Sequence, residues 1–140
     1  MDTYDPKKVV VIYNGSTIEG FMEGTFVNIV RDSETSVIVS GADGKTARAK
    51  TNDKRGTVTL TLLQTSKSNK VFSSVIARDE NGEDAKFPLF IKNTNGDDLY
   101  QDKEAIVERP AASTFTKGGI EGREWILKCQ SLSCQTNGVQ

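Results

Sequence analysis

The stretch of this chain that most resembles chemical machinery lies between residues 41 and 55. Gly41-Ala42-Asp43-Gly44-Lys45-Thr46 carries the Gly-Lys-Thr ending of a phosphate-binding loop, in which backbone N–H groups and a lysine hold phosphate oxygens at a helix N-terminus. That pattern needs another glycine five positions before Gly44, where Val39 stands, and a polar segment without a helical period follows. The stretch therefore reads as an Asp-Gly turn flanked by charge. Around it, Lys45, Arg48, Lys50, Lys54 and Arg55 are interleaved with Asp43 and Asp53. Such a cluster is either a solvated loop or a contact for the acidic surface of another protein, where charges set register and encounter rate. No aromatic side chain is interleaved for base stacking, which disfavours a nucleic-acid surface.

Other candidates for chemistry are few. The 140-residue chain has no histidine, which removes the commonest general base at neutral pH and the commonest nitrogen ligand for metals. Cys129 and Cys134 form a Cys-x4-Cys pair without further soft ligands. On a continuous strand they face opposite sides, so two reduced thiols are expected and neither a metal site nor a disulfide. The carboxylates Glu19 with Glu23 and Asp97 with Asp98 lack the spacing of a calcium loop. Asn14-Gly15-Ser16 matches a glycosylation acceptor, but the start MDTYDPKKVVVIYNG lacks the order of a signal peptide. Folding in a cytoplasm is the expectation. Trp125 alternates with Leu127 and Cys129 and reads as core. Catalytic, metal and cofactor sites are accordingly not expected, and no enzyme is read here.

Composition sets further bounds. Lysine and arginine number 18 against 19 acidic residues, for a net charge of -1, so neither nucleic acid nor an anionic membrane is an expected surface partner. No stretch approaches the ~20 apolar residues of a membrane span. The length fits one domain over residues 1–140.

The elements that must position these residues are mostly strands. Lys8 to Tyr13 is β-branched and ends at Asn14-Gly15, a hairpin signal. Ser16 to Phe21, Thr25 to Arg31 and Ser36 to Ser40 follow as strand candidates, and Lys45 to Lys50 as a polar strand paired with the last of these. Residues 41–56 as a whole read as a long polar hairpin or loop projecting from the core. From Gly56 the alternation is strict: Val58, Leu60 and Leu62 face one way, and Thr57, Thr59, Thr61 and Leu63 the other. Val71, Phe72, Val75 and Ile76 then recur at helical spacing, giving a helix from about Lys67 to Asp79, capped by Ser66 or Ser68 and stopped at Asn81-Gly82. Ala85 to Lys92 follows, with Pro88 marking an edge or a bulge. Short strands are expected at Leu99–Tyr100 and Glu104–Glu108, and a final one from Glu121 to Ser131, before a frayed end at 138–140. The sum is a mainly β, antiparallel sandwich or barrel-like subunit with one flanking helix. Its threonine face suits either solvent or the lumen of a closed assembly, and periodicity does not separate the two.

Several of these stretches, taken together, resemble the tail tube proteins of contractile-tailed bacteriophages. They are DPKKVVVIYNGSTIEGFMEGTFV, GADGKTARAKTNDKRGTVTLTLLQTSKSN, FPLFIKNTNG and EGREWILKC. The resemblance runs through nearly the whole chain in order, and Ala49-Lys50, Asn52-Asp53 and Gly56 to Leu60 are its most specific part. It implies a structural subunit related in fold to type VI secretion tube proteins. Six copies form a ring with a continuous inner β-barrel, and rings stack into a hollow tube that conducts DNA without sequence-specific binding. It also implies tail sheath, baseplate and tail terminator proteins as partners, and a place in the virion tail after assembly in the host cytoplasm. By the same resemblance Thr57, Thr59 and Thr61 line the lumen. Residues 41–56, through Asp43, Lys45, Arg48, Lys50, Asp53, Lys54 and Arg55, reach an adjacent subunit or ring, and the arm Met1 to Lys8 joins the inter-ring contacts. The competing reading is a β-sandwich adhesion or baseplate protein-binding module. It is disfavoured by the lack of aromatic residues in the long loop.

Overall fold

The computed structural model describes residues 9–22, 26–34, 36–50, 52–93, 98–112, 117, 119 and 121–135. The arm Met1 to Lys8, Glu23, Thr25, Thr51, residues 94–97 and the tail 136–140 lie outside the described residues. The fold is mainly β. Its strands are β1 (Val9–Tyr13), β2 (Ser16–Thr17), β3 (Val27–Arg31), β4 (Ser36–Ser40), β5 (Thr46–Lys50), β6 (Gly56–Leu63), β7 (Phe87–Asn93), β8 (Asp98–Val107), β9 (Gly122–Cys129) and β10 (Ser133–Gln135). The helix α1 (Asn69–Glu80) follows β6 and is the single helix among the described residues.

Eight strands form one antiparallel sheet in the order β2-β1-β7-β8-β9-β6-β3, with β10 added to β8, while β4 and β5 pair only with each other. The sheet is open, not a closed barrel, yet its two ends are drawn together. Ile18 N–H donates to Val11 of β1, and two residues later the same segment meets β6 through the Gly20 carbonyl, which accepts from Leu63 N–H, and through a Phe21–Leu62 bridge. At the β1–β2 turn Asn14 and Gly15 take φ values of 53° and 74°, the two positive values that a two-residue hairpin turn requires.

Alternation in β6 translates directly into burial. Val58, Leu60 and Leu62 are fully buried, and the register sets Val58 opposite Leu127 and Leu60 opposite Trp125 of β9. Against this face lies α1, through Phe72 and Val75. The Phe72 ring stacks between Tyr13 at 5.7 Å and Trp125 at 5.2 Å, so the helix packs across the sheet from β1 to β9. Burying each such side chain is worth roughly 1.5–3 kcal/mol. The polar atoms of the two rings that flank Phe72 are satisfied: Tyr13 Oη donates to Ala105 O at 2.8 Å, and Trp125 Nε1 donates to Asn69 Oδ1 at 2.9 Å.

Several boundaries differ from the sequence expectation, each for a local reason. The helix starts at Asn69 and ends at Glu80, against 67–79 expected. Neither serine caps it through its side chain. Ser68 Oγ instead accepts from Glu19 N–H at 2.8 Å, and Asn69 Nδ2 donates to the carbonyls of Leu63, Gln64 and Ser66. Pro88 sits in an interior strand, and the register shift between Phe87 and Leu89 marks the bulge that admits it. The two short strands expected at Leu99–Tyr100 and Glu104–Glu108 are one strand, β8. Polar Asp102 does not break it, because its buried carboxylate accepts from the backbone N–H groups of Gln130, Ser131 and Glu104. The chain also does not end as a strand at Ser131: Leu132 is fully buried and β10 continues the pairing with β8.

A projecting ribbon and a threonine face

Ser36 to Ser40 pairs with Thr46 to Lys50 in one register, from Ser36 opposite Lys50 to Ser40 opposite Thr46. The tip is closed by Gly44 N–H to Gly41 O at 3.1 Å, Gly41 N–H to Lys45 O at 2.7 Å and Lys45 N–H to Asp43 Oδ1 at 3.2 Å. Asp43 and Lys45 thus sit at the tip, and Arg48 and Lys50 on β5. Every residue from 38 to 50 is exposed, and Ile38 is 76% and Val39 53% accessible. Ile38 lies opposite Arg48. The sequence reading marked the charges of this segment and passed over Ile38. Its signal was present: Val37, Ile38 and Val39 stand in sequence before a segment, 41–56, that has no large apolar residue to pack on them.

Asp53, Lys54 and Arg55 are placed differently, at the base where the ribbon leaves the sheet. Arg55 donates to the Asp53 carboxylate from its own backbone N–H at 3.0 Å, from Nε at 3.0 and 3.1 Å, and from Nη2 at 2.8 Å. Ser33 Oγ donates to Asp53 Oδ2 at 3.0 Å. These bonds, the Arg55 side chain's first and then the Arg55 N–H and Ser33, hold the Asp53 carboxyl well below the usual carboxylate range. The same pairing raises Arg55. Around this core Asp32 N–H donates to Arg55 O at 3.0 Å and Leu132 N–H to Lys54 O at 2.9 Å, and Arg31 donates to Leu132 O. Gly56 is tied to the same place, since a Cβ there would meet a Leu132 side-chain carbon at 2.5 Å.

The threonine face begins beside this base. Thr57 Oγ1 donates to Asp32 Oδ1 at 2.8 Å and accepts from Lys128 Nζ at 3.0 Å. Thr57, Thr59 and Thr61 are half-buried, opposite Lys128, Ile126 and Glu124 of β9. Val30 and Ile106, both exposed, lie opposite Thr57 and Lys128 respectively and share this face. It is a mixed surface of hydroxyls, paired charges and small apolar patches.

The remaining candidates resolve into structure. Cys129 is buried and Cys134 exposed, both as free thiols. Burial, with the Asp102 charge nearby, pushes the Cys129 thiol up from 9.0 to about 12. Burial likewise pushes Tyr13 up. No cluster of metal-ligating side chains occurs among the described residues, and no helix among them is long and apolar enough to cross a membrane. A cavity of about 570 Å³ opens between β7, β8 and the β9–β10 turn, lined by Pro88, Phe90, Gln101 and Gln130. Of the two acids at its wall, Asp102 and Glu104, Asp102 is committed to three backbone N–H groups.

Comparison with known proteins gives a curated relative, a shared fold and a family. The chain is 28% identical to Structural protein ORF10 of Pseudomonas phage KPP10, over 99% of this chain and 84% of that protein. Among solved structures it is similar to a chain of the sheath/tube terminator of an extracellular contractile injection system (TM-score 0.66, 15% identity, 96% of this chain and 97% of that one). It is also similar to a chain of the sheath-tube complex of such a system (TM-score 0.65, 14% identity, 96% and 92% covered). A chain of the anti-feeding prophage cap has the same fold (TM-score 0.65, 14% identity, 97% and 93% covered). Residues 12–135 match the family described as Bacteriophage PhiTE tail tube protein. The chain belongs to that family of phage tail tube proteins, a structural family and not one of enzymes.

Proposed function

We propose that this protein is the repeating subunit of the tube. Six copies form a ring, rings stack, and the hollow interior conducts DNA during ejection, inside a contractile sheath. The observation that carries this reading is the β4–β5 ribbon, which extends about 17 Å at ~3.3 Å per residue with no residue from 38 to 50 covered by its own chain. An isolated two-stranded ribbon is marginal in water, and an isoleucine at 76% exposure gains most from a second copy. The open sheet supports the same reading. Its terminal strands, β2 and β3, leave edges to which a neighbouring subunit can add.

Thr57, Thr59 and Thr61 face the lumen in this proposal. The opposite side of β6 is committed to the core, and Lys128 and Glu124 balance each other beside the threonines. Such a face does not hold DNA through counterion release as a basic lining would. Asp43, Lys45, Arg48 and Lys50 contact an adjacent subunit or ring, as does the arm Met1 to Lys8. The relatives seen with a sheath and a terminator support sheath and terminator proteins as partners here, with a baseplate at the far end. Assembly takes place in the host cytoplasm, into the virion tail. Polymerisation follows from head-to-tail interfaces that do not close along the axis.

The test is negative-stain electron microscopy of the purified protein at increasing concentration. Rings and hollow tubes are expected; a strictly monomeric protein throughout would count against the reading. For the lumen, Thr59→Lys with Thr61→Lys is expected to leave the fold intact and hinder DNA delivery. Normal delivery would remove the threonine face from the lumen.

A further inference from the structure

We infer that Asp53 is a positioning residue for assembly: it ties together the two legs of the β4–β5 ribbon, fixing the angle at which the ribbon leaves the sheet before any second copy is met. The inference rests on the reading that the ribbon contacts another subunit, and it moves Asp53 and Arg55 from that contact to the hinge behind it.

The geometry supports this division. Ser33 lies on the leg entering the ribbon and Arg55 on the leg leaving it, and Asp53 bonds both, at 3.0 Å to Ser33 Oγ and 2.8–3.1 Å to the Arg55 side chain. Both carboxylate oxygens are thereby occupied within the chain, leaving Asp53 little capacity to serve a partner. The legs are held from two further directions: Asp32 N–H bonds Arg55 O, and Leu132 bonds Lys54 O through its N–H and Arg31 through its carbonyl. Leu132 is fully buried, so the base is anchored to the core. Beyond the base, every residue from 38 to 50 is exposed. A ribbon free to swing at its base loses orientational freedom at each docking event; one already fixed does not. The Asp53–Arg55 pair is exposed, so its expected contribution to subunit stability is small, and its effect lies in orientation.

The experiment places spin labels at the native, exposed Cys134 and at the ribbon tip through Lys45→Cys, in dilute unassembled chains. Pulsed dipolar spectroscopy then reads the distance distribution. The parent and a control at an exposed lysine away from the ribbon, Lys67→Ala, are expected to give one narrow distance, Asp53→Ala a broad distribution, and Ser33→Ala an intermediate one, all with unchanged melting temperature. Assembly of unlabelled Asp53→Ala, followed by light scattering, is expected to slow about tenfold. A distance that stays narrow in Asp53→Ala, assembly at the native rate, or loss of the folded state in that variant would each overturn the inference. The distance is read without assembly. Failure of the native chain to form tubes would therefore count separately, against the reading beneath it.

Discussion

β6 with β9 and β4 with β5 are both antiparallel pairs in unbroken register, and the contrast between them separates what folds the subunit from what the subunit offers. The β6–β9 pair buries Val58, Leu60, Leu62, Trp125, Leu127 and Cys129 on one side, under a helix that contributes Phe72 and Val75. The β4–β5 pair has the same hydrogen-bond pattern and comparable β-branched residues in β4, yet no residue from 38 to 50 is covered. Backbone pairing alone does not make a strand part of a core; a facing layer does. The first pair therefore belongs to the stability of one chain, and the second, in the proposed assembly, to the association of several.

Substitution is expected to divide the two regions sharply. The largest effect falls in the first: Phe72→Ala empties the space between Tyr13 and Trp125. It should cost about 3–5 kcal/mol of unfolding free energy, measured by urea denaturation. A loss below about 1 kcal/mol would mean that the helix is not the lid of the core. In the second, Ile38→Asp should leave unfolding within about 0.5 kcal/mol of the parent while abolishing or strongly slowing tube formation, read by sedimentation. Tubes formed normally by Ile38→Asp would place the ribbon outside the contacts and break the comparison.

The smallest effect concerns the thiols and needs no substitution. Cys134 is expected to react with a thiol reagent at pH 8 and Cys129 only after unfolding, because burial keeps Cys129 protonated, with its pKa at about 12. The sign follows: Cys129 leaves stability unaffected below its ordinary 9.0 and reduces it as the pH climbs from there toward about 12. Equal reaction rates of both thiols in the native chain would contradict the packing of β9.

Much of the first region was legible in the sequence and much of the second was not. Strict alternation named both faces of β6, and Val71, Phe72, Val75 and Ile76 named the helix face, because each is a local pattern set by a fixed period; Asn14-Gly15 likewise named the β1–β2 turn by local turn chemistry. The breaks were legible only through long-range partners. Leu99–Tyr100 and Glu104–Glu108 read as two strands because Asp102 between them finds its partners far along the chain, in the N–H groups of Gln130 and Ser131. β10 is three residues, Ser133–Gln135, too short for a period, and Leu132 before it gives no sign that it plugs the ribbon base. In the candidate site the charges of 41–55 were visible from the start. That Asp53 and Arg55 are spent on each other, while Ile38 is left uncovered, depends on pairing that charge pattern does not encode.

The central claim, that the β4–β5 ribbon is completed by another copy of the same chain in a hollow tube, is tested most directly by cryo-electron microscopy of the assembled protein. The account predicts six-fold rings stacked around an open lumen, with Ile38 and Val39 buried against a second subunit. Assembled particles in which the ribbons project into solvent, or a compact oligomer without a lumen, would contradict it.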